Sequence, residues 1–384
     1  LDSHRLREAV HTVVGRHPHL AARFCGQFGE PVQIIPTHPA AAWQYVELEI
    51  GGDDVDVDVD VEERIQQICA GERAAVCVLG DRPAFRAALI RIAEDRHRFV
   101  LTNHHIVMDG WSLPILLQEI FASYYGQRLP AAVPYRSFVT WLARQDRDAA
   151  QAAWQEVFAG FEAPTLVSPP GRLALGRRSV ESYQVPAEIT RSLTELARSR
   201  RTTVNTVLQA AWAQLLVWLT GHHDVAFGTA VSGRPTELAG AESMVGLLIN
   251  TVPVRATITP TSTIADLVDQ LQSAYNHTLE HQHLALADIH RITGHDQLFD
   301  TAFVYENYPI DTAALMNVHE LAVTEVINRE FNHYPLSVQA QPGHELGFRV
   351  EYDTDVFGAA RIAKLIERFQ RVLGAMTADL GEES

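Results

Sequence analysis

The pattern that most constrains the fold is an alternation of helix-type and strand-type segments on both sides of one irregular stretch. That stretch, 163–178 (APTLVSPPGRLALGRR), is rich in proline, glycine and arginine and has no clean periodicity, which is typical of a linker. Alternating helices and strands indicate an α/β fold. The sequence therefore predicts an N-terminal lobe over 1–165, a linker over 166–178 and a C-terminal lobe over 179–384.

One segment of the first lobe places polar residues at a junction between a strand and a helix. Two apolar runs, Phe85 to Ile92 and His97 to Thr102, are separated by a polar turn and predict an antiparallel hairpin. The second run leads directly into NHHIVMDGWS, where Ser112 is the predicted N-cap of the following helix. We therefore expect two histidines and an aspartate near a helix N-terminus.

An acidic stretch, DDVDVDVDVEE at 53–63, alternates aspartates with valines. Its start resembles a calcium-binding loop, but the glycine and the terminal glutamate that such a loop needs are missing. The alternation favours an acidic edge strand or a solvated loop.

Composition excludes several classes of function. The chain has 31 lysines and arginines against 47 aspartates and glutamates, a formal net charge of −16. Nucleic acid and anionic membranes are therefore not expected as partners. Three cysteines form no disulfide framework and no apolar run is long enough to span a bilayer, so we expect a cytoplasmic protein.

The segment His104 to Gly110 carries the strongest chemical signal. Histidine has an unperturbed pKa of about 6.5, which suits proton transfer at neutral pH. Neighbouring residues that leave a strand point in opposite directions, so only one of His104 and His105 can face a substrate. Asp109 is placed to orient the loop through an ion pair, and Gly110 allows a tight bend. One alternative is that the histidines only fill space. Another is a metal site, but no third ligand occurs at a spacing typical of metal sites, so no metal is expected.

These residues resemble the HHxxxDG signature of condensation domains from nonribosomal peptide synthetases. Further segments resemble other motifs of that family: 15–24 (GRHPHLAARF), 135–146 (YRSFVTWLARQD), 232–235 (SGRP) with 244–255 (MVGLLINTVPVR), and 298–309 (LFDTAFVYENYP). Leu248 stands where the family usually has phenylalanine. The residues in these motifs are similar to those of the condensation domains that join an L-configured donor to an L-configured acceptor.

The resemblance implies a fold and a reaction. The fold would be two chloramphenicol-acetyltransferase-like lobes in a V-shaped pseudo-dimer with a central tunnel. The reaction would be attack by the α-amine of one carrier-bound aminoacyl group on the thioester of another. The implied partners are an upstream donor carrier protein, a downstream acceptor carrier protein and an adjacent adenylation domain. The domain itself would bind no cofactor, because its substrates arrive on phosphopantetheine arms, and it would be a monomer within a multidomain synthetase.

The resemblance also assigns roles to residues. His105 would be the catalytic group, as general base or as a hydrogen-bonding positioner, while His104 supports the loop. Asp109 would pair with Arg234 of the second lobe, Arg16 being the weaker candidate, and the Gly110 N–H would help to stabilise the oxyanion. The implied tunnel residues are Trp111, Ser112, Asn250, Tyr305 and Asn307.

One motif of the family is missing, and two other functions stay open. The family's first motif, S-x-A-Q-x-R-L-W, is not found in this sequence, so a front segment of the first lobe is expected to be missing from it. The alternatives are an acyl-CoA-dependent acyltransferase of the same superfamily and a non-catalytic docking domain. Since carrier proteins are usually acidic too, docking is expected at local arginine or apolar patches.

Overall fold

The computed structural model describes residues 1–48, 57–169, 177–306, 317–318 and 321–378. Its elements, in chain order, are α1 (Ser3–Arg16), β1 (Arg23–Cys25), β2 (Val32–Ile34), β3 (Ala42–Glu47), α2 (Val57–Val76), β4 (Phe85–Arg91), β5 (His97–Asn103), α3 (Ser112–Tyr124), α4 (Tyr135–Leu142), α5 (Arg147–Val157), β6 (Arg178–Val185), α6 (Ala187–Ser199), α7 (Val204–Thr220), β7 (Asp224–Val231), β8 (Asn250–Thr257), α8 (Ile264–Thr278), α9 (Leu286–Thr293), β9 (Thr301–Tyr305), β10 (Asn317–Val318), β11 (Leu321–Ala322), β12 (Leu336–Gln341), β13 (Leu346–Asp353) and α10 (Ala359–Ala378).

The chain packs into two compact units that are not continuous in sequence. The first unit contains Leu1–Arg144, Arg234–Leu248 and Tyr308–Asn328, and the second contains Gln145–Gly233, Ile249–Asn307 and Arg329–Ser384. This division differs from the linear one expected at 165 and 178. The helix α5 buries Trp154 in the second unit, whereas Met244 and Leu248 pack on Phe138 in the first. A linker composition cannot reveal that a segment returns to an earlier unit.

The first unit is built on the expected hairpin. Strands β4 and β5 pair antiparallel, from Phe85 opposite Asn103 to Arg91 opposite His97, and β3 adds to β4 in parallel. Helix α1 is N-capped by Asp2, whose carboxylate accepts a hydrogen bond from the Arg5 N–H. Its apolar side packs on α3 and on the sheet, so the strand that leads to the two histidines rests on a packed core.

The acidic stretch was expected to be a strand or loop, and this is wrong for its second half. Residues 57–63 belong to α2, while 53–56 lie outside the described residues. The apolar residues Val61, Ile65 and Ile68 recur at helical spacing and pack on β4 and β5 in a separate small cluster. Tertiary packing of this apolar side therefore outweighs the two-residue alternation at the start of the segment.

The second unit is a six-stranded sheet in the order β6-β13-β12-β9-β7-β8. Strand β7 alternates between two cores: Val225 and Phe227 pack with helices α6, α7, α8 and α10, whereas Ala226 packs with α5 and α9. Helix α7 is buried along most of its length, with Trp212 fully enclosed. Helices thus cover both faces of this sheet.

The predicted linker is ordered at its start. Thr165 N–H donates to the Leu298 carbonyl over 2.9 Å, and the Asp300 carboxylate accepts from the N–H groups of Val167 and Ser168. Residues 170–176 lie outside the described residues. Up to residue 169, this stretch is therefore bound to the second unit. In the described part of the chain, no helix is both long and apolar enough to cross a membrane.

A buried ion pair between α2 and β4 predicts where the first unit is sensitive to mutation. Glu72 is 5% exposed at its side chain and receives two hydrogen bonds from Arg86, at 2.6 and 3.0 Å. Arg86→Ala would leave this carboxylate buried and unpaired, and we expect a loss of about 3 kcal/mol in the free energy of unfolding. Urea denaturation measures it.

Arg98 on the neighbouring strand β5 is the control. It pairs with Glu62 and Glu325, whose side chains are 51% and 63% exposed. Arg98→Ala should cost less than about 1 kcal/mol. Equal losses for the two variants would contradict the assignment of α2 as a helix docked through Glu72.

Candidate active site

The two neighbouring histidines stand where β5 ends. The His104 N–H donates to the Ala84 carbonyl over 2.8 Å, which extends the hairpin ladder by one residue, and the Val107 N–H then donates to the His104 carbonyl over 3.2 Å. This closes a turn with His105 and Ile106 at its centre. Val107 and Met108 are buried in the core of the first unit. The turn is therefore held at both ends. At its centre the His105 side chain is exposed, whereas Ile106 packs against the core of the first unit.

His104 acts within the loop. Its Nδ1 accepts a hydrogen bond from the Ile106 N–H over 3.1 Å, which requires a neutral ring with its proton on Nε2. Burial lowers the pKa of His104, and the nearby His105 lowers it further. The ring is thus kept neutral and in one tautomer by the turn that it stabilises.

His105 has the opposite environment. Its side chain is exposed, and the described residues offer it no hydrogen-bond partner. An imidazole that is free in this way can accept a proton from a bound group or donate one to it. The two histidines therefore differ as a strand end requires: one is committed to structure and one is available.

Asp109 is the most heavily bonded carboxylate of the site. It is 1% exposed. Its Oδ1 accepts from the Ser112 N–H over 2.9 Å and from Arg234 Nη2 over 3.1 Å, and its Oδ2 accepts from the Leu248 N–H over 3.0 Å. These donors come from the start of α3 and from the returning segment 234–248. Asp109 therefore joins the histidine loop to a distant part of the chain.

Arg234 pairs with Asp109, and by packing it belongs to the first unit and not to the second lobe as expected. Its Nη1 donates to the carbonyls of Ala241 and Met244 over 2.5 and 2.9 Å, and its Nη2 also donates to the Ser112 hydroxyl over 3.5 Å. Arg16, the weaker candidate, is bound to Glu119 instead, at 2.9 and 3.0 Å. Arg234 thus braces its own loop as well as the carboxylate.

The returning segment is fixed by close backbone contact. The Asp109 N–H donates to the Gly246 carbonyl over 3.0 Å, and the Gly246 N–H donates to the Ser112 hydroxyl over 3.0 Å. The Tyr135 hydroxyl donates to the Leu247 carbonyl over 2.7 Å. A Cβ at Gly246 would lie 2.1 Å from a carbon of the Tyr135 ring, so only glycine fits there. Burial and the Asp109 charge raise the pKa of Tyr135 to about 12, which keeps it a donor.

Three expectations about the start of α3 need correction. Ser112 is not the N-cap: it is the first residue of the helix, and Asp109 caps its N–H. Ser112 also has no exposed surface, and its hydroxyl lies 2.8 Å from Asp109 Oδ1 and 2.9 Å from the Gly246 carbonyl. It is therefore a packing residue and cannot line a tunnel. Gly110 is not among the described glycines with positive φ, so the bend there does not depend on left-handed backbone.

The outlying candidates lie in different settings. Trp111 is half-buried beside the histidine loop. The Asn250 amide is used within the second unit, since its Nδ2 donates to the carbonyls of Gln282 and Leu284, both at 2.8 Å. Tyr305 packs against the large core of the same unit, and burial raises its pKa. Asn307 lies outside the described residues. The amide of Asn250 is thus held by hydrogen bonds within the second unit, and the assignment of Asn250 to a tunnel wall stays a prediction.

Three contributors to the site carry no chemical signal of their own in the sequence: Gly246, Tyr135 and His19. Each lies inside a segment that resembles a family motif, but nothing in the spacing indicates that the three meet. The His19 ring stacks on Tyr135 with centroids 4.8 Å apart, and burial lowers the pKa of His19 to about 4. Among the described residues, no group of three or more His, Cys, Asp or Glu side chains is placed to hold a metal ion.

Comparison with known proteins defines the class. The family model of the condensation domain matches residues 1–383. The chain is 36% identical over 366 residues to chondramide synthase cmdD of Chondromyces crocatus, covering 92% of this chain and 9% of that protein. It is 32% identical over 394 residues to vanchrobactin synthetase VabF of Vibrio anguillarum, covering 97% of this chain and 13% of that protein. The chain thus spans only a small part of the length of these two relatives.

Solved structures agree on the fold. The first condensation domain of the calcium-dependent antibiotic synthetase, in complex with a substrate analogue, has a TM-score of 0.72 at 23% identity and covers 99% of this chain and 89% of its own. The X-domain from teicoplanin biosynthesis has a TM-score of 0.82 at 20% identity, covering 99% and 88%. The mixed α/β fold is that of condensation domains, which resembles chloramphenicol acetyltransferase. This chain belongs to the condensation domain family of nonribosomal peptide synthetases, whose members catalyse peptide-bond formation.

The buried Asp109–Arg234 pair predicts a stability effect at the site. Asp109→Ala removes the acceptor of several buried donors and leaves Arg234, 6% exposed at its side chain, without its charge partner. We expect a loss of about 3 kcal/mol or more in the free energy of unfolding. Urea denaturation followed by tryptophan fluorescence measures it.

A second pair of the same chemistry is the control. Asp224 and Arg255 lie 2.7 Å apart, with Asp224 31% exposed. Asp224→Ala should cost clearly less, because water replaces part of the lost interaction. If Asp109→Ala left the unfolding midpoint unchanged while abolishing activity, Asp109 would have a purely chemical role and the bracing role would be wrong.

Proposed function

We propose that this domain forms an amide bond between a carrier-bound aminoacyl or peptidyl thioester and the α-amine of a carrier-bound aminoacyl acceptor. The observation that carries the proposal is the pair of environments at the end of β5: His104 locked and neutral, His105 exposed and unbonded among the residues described. Attack by the amine forms the C–N bond and breaks the C–S bond, so the proton lost by the amine ends on the thiol or on solvent.

His105 is the group that meets the amine in this proposal. A protonated amine cannot attack, so a neutral imidazole beside it favours the reactive form, either by accepting the proton or by holding the amine through a hydrogen bond. General base catalysis contributes about 10²–10⁴ in rate. The exposure of His105 at the centre of a tight turn supports both roles.

The start of α3 supplies the second element. The oxyanion that develops on the thioester carbonyl is stabilised by backbone N–H groups at a helix N-terminus. The Gly110 N–H is our candidate donor, because Gly110 lies two residues before α3 begins. The Ser112 N–H is already used by Asp109. The role of Asp109 and Arg234 is to hold this geometry and not to touch substrate.

The finer assignments follow from the family. We propose donor and acceptor carrier domains and an adjacent adenylation domain as partners, phosphopantetheine as the arm that carries each substrate, and the cytoplasm as the location. The L-donor and L-acceptor type is our proposal for the stereochemical class. No cofactor of the domain's own and no metal enter the reaction as proposed.

A docking domain without catalysis is the second candidate. Its support is the fold likeness to the X-domain from teicoplanin biosynthesis, a likeness of fold alone. The intact pair His104 and His105 favours catalysis, because the His104 ring stabilises the turn that leaves the His105 imidazole free to meet a substrate. Transfer from an acyl-CoA is tested in the same assay by a second reaction, in which CoA thioesters replace the loaded donor carrier.

His105→Ala should reduce amide formation by about 10²–10⁴-fold, because the proton-accepting group is lost. The assay incubates the domain with two differently loaded carrier domains and measures dipeptide by mass spectrometry. The unfolding midpoint should not change, since His105 makes no side-chain contact that the described residues show.

His223→Ala is the matched control, because His223 is exposed in a loop of the second unit. It should retain wild-type activity. Product formation by His105→Ala near the wild-type level would refute the catalytic assignment and leave the docking function. Product from acyl-CoA donors alone would refute the carrier-bound donor.

A further inference from the structure

The helix α10 carries an unusual distribution of charge for so acidic a chain. Arg361, Lys364, Arg368 and Arg371 are spaced at i, i+3, i+7 and i+10, which places them along one side of the helix. They extend over about 15 Å. The opposite side, which includes Ile362, Leu365, Phe369, Leu373 and Met376, is buried in the core of the second unit. The cations therefore form one outward stripe.

These cations have little to neutralise them. Helix α10 contains a single carboxylate, Glu367, and α7 contains no ionisable residue. Within the described part of the chain, none of the four cations lies within 4.0 Å of a carboxylate oxygen. The protein as a whole carries a net charge of −16. A concentrated positive stripe on this background is a local exception to the charge of the molecule.

An exposed aromatic ring adjoins the stripe. Trp218, near the end of α7, is 52% exposed, whereas the other five tryptophans of the chain are buried or half-buried. The Arg368 guanidinium lies over its ring, with Cζ 3.8 Å from the ring centroid. This cation–π contact holds the guanidinium in place and lowers the entropy lost when a partner binds. Tryptophan and arginine are also the residues most often found at binding hot spots.

We propose that this α7–α10 surface, formed by Trp218, Arg361, Lys364, Arg368 and Arg371, docks an acidic carrier domain. The inference rests on the proposed function. Charge complementarity argues for it, because an acidic domain is repelled by most of this protein and attracted by the stripe. The stripe is as long as about three turns of helix, which matches one helix of a small domain, and Trp218 supplies the apolar contact. An extended polyanion such as nucleic acid would meet the surrounding negative charge.

The test compares two double charge reversals of identical spacing. Arg361→Glu with Arg368→Glu alters the proposed surface, and Arg191→Glu with Arg198→Glu alters exposed positions of α6 in the same unit. The probes are the donor and acceptor carrier domains, each labelled with a fluorophore on its phosphopantetheine arm. We expect the first pair to weaken binding of one carrier about tenfold by fluorescence anisotropy, with the difference shrinking at high salt. The second pair should change it less than twofold.

Trp218→Ala tests the apolar part of the surface and should weaken the same carrier about threefold to tenfold. In the condensation assay the surface variants should raise the KM for that carrier and leave kcat near wild type. Equal effects of the two double variants, or no effect on either carrier, would overturn the proposal. So would a preference of the surface for phosphatidylserine vesicles or single-stranded DNA. If the wild type makes no amide, the proposed function fails, while the anisotropy data still decide the docking surface.

Discussion

The burial of the Asp109 carboxylate is the constraint on which the site depends. A charge with 1% exposure is tolerated only when donors surround it, and here they come from α3 and from a segment more than a hundred residues away. Arg234 is separated from Asp109 by 125 positions. Satisfying this one group therefore fixes the helix start, the returning segment and the histidine loop between them. In the proposed reaction, this ion pair holds the geometry of the turn and takes no part in the chemistry.

Sequence reasoning predicted the parts of the fold that local patterns determine. The hairpin of β4 and β5 follows from two apolar runs and a polar turn, and the pairing of Asp109 with Arg234 followed from a family motif. The helix α2 was missed, because its alternating start imitates a strand and its apolar side is recognised only once Ile65 has a core to pack on. The return of 234–248 was missed for a similar reason. The Gly246 backbone approaches the Tyr135 ring closely although the two residues are far apart in sequence, and no periodicity of the sequence indicates such a contact.

The two histidine side chains are chemically identical, and their different environments follow from their positions alone. His104 leaves the strand toward the turn, where its Nδ1 accepts a hydrogen bond from a backbone N–H and burial keeps the ring neutral. His105 is one residue further on and is left with solvent. In the proposed reaction the two histidines are therefore not equivalent. His104 shapes the backbone that presents His105, so substitutions at the two positions would lower activity for different physical reasons.

Charge has opposite roles at the site and on the surface. At Asp109 it is buried and paired, because an unpaired charge in the interior is strongly destabilising. On α10 it is exposed and without an ion-pair partner among the described residues, so it costs little to maintain and is available to a partner that comes and goes. The proposed function needs both: a site that keeps its geometry during the reaction, and a surface whose contacts are weak enough to release one carrier before the next arrives. Screened surface charges suit the second requirement as well as buried ones suit the first.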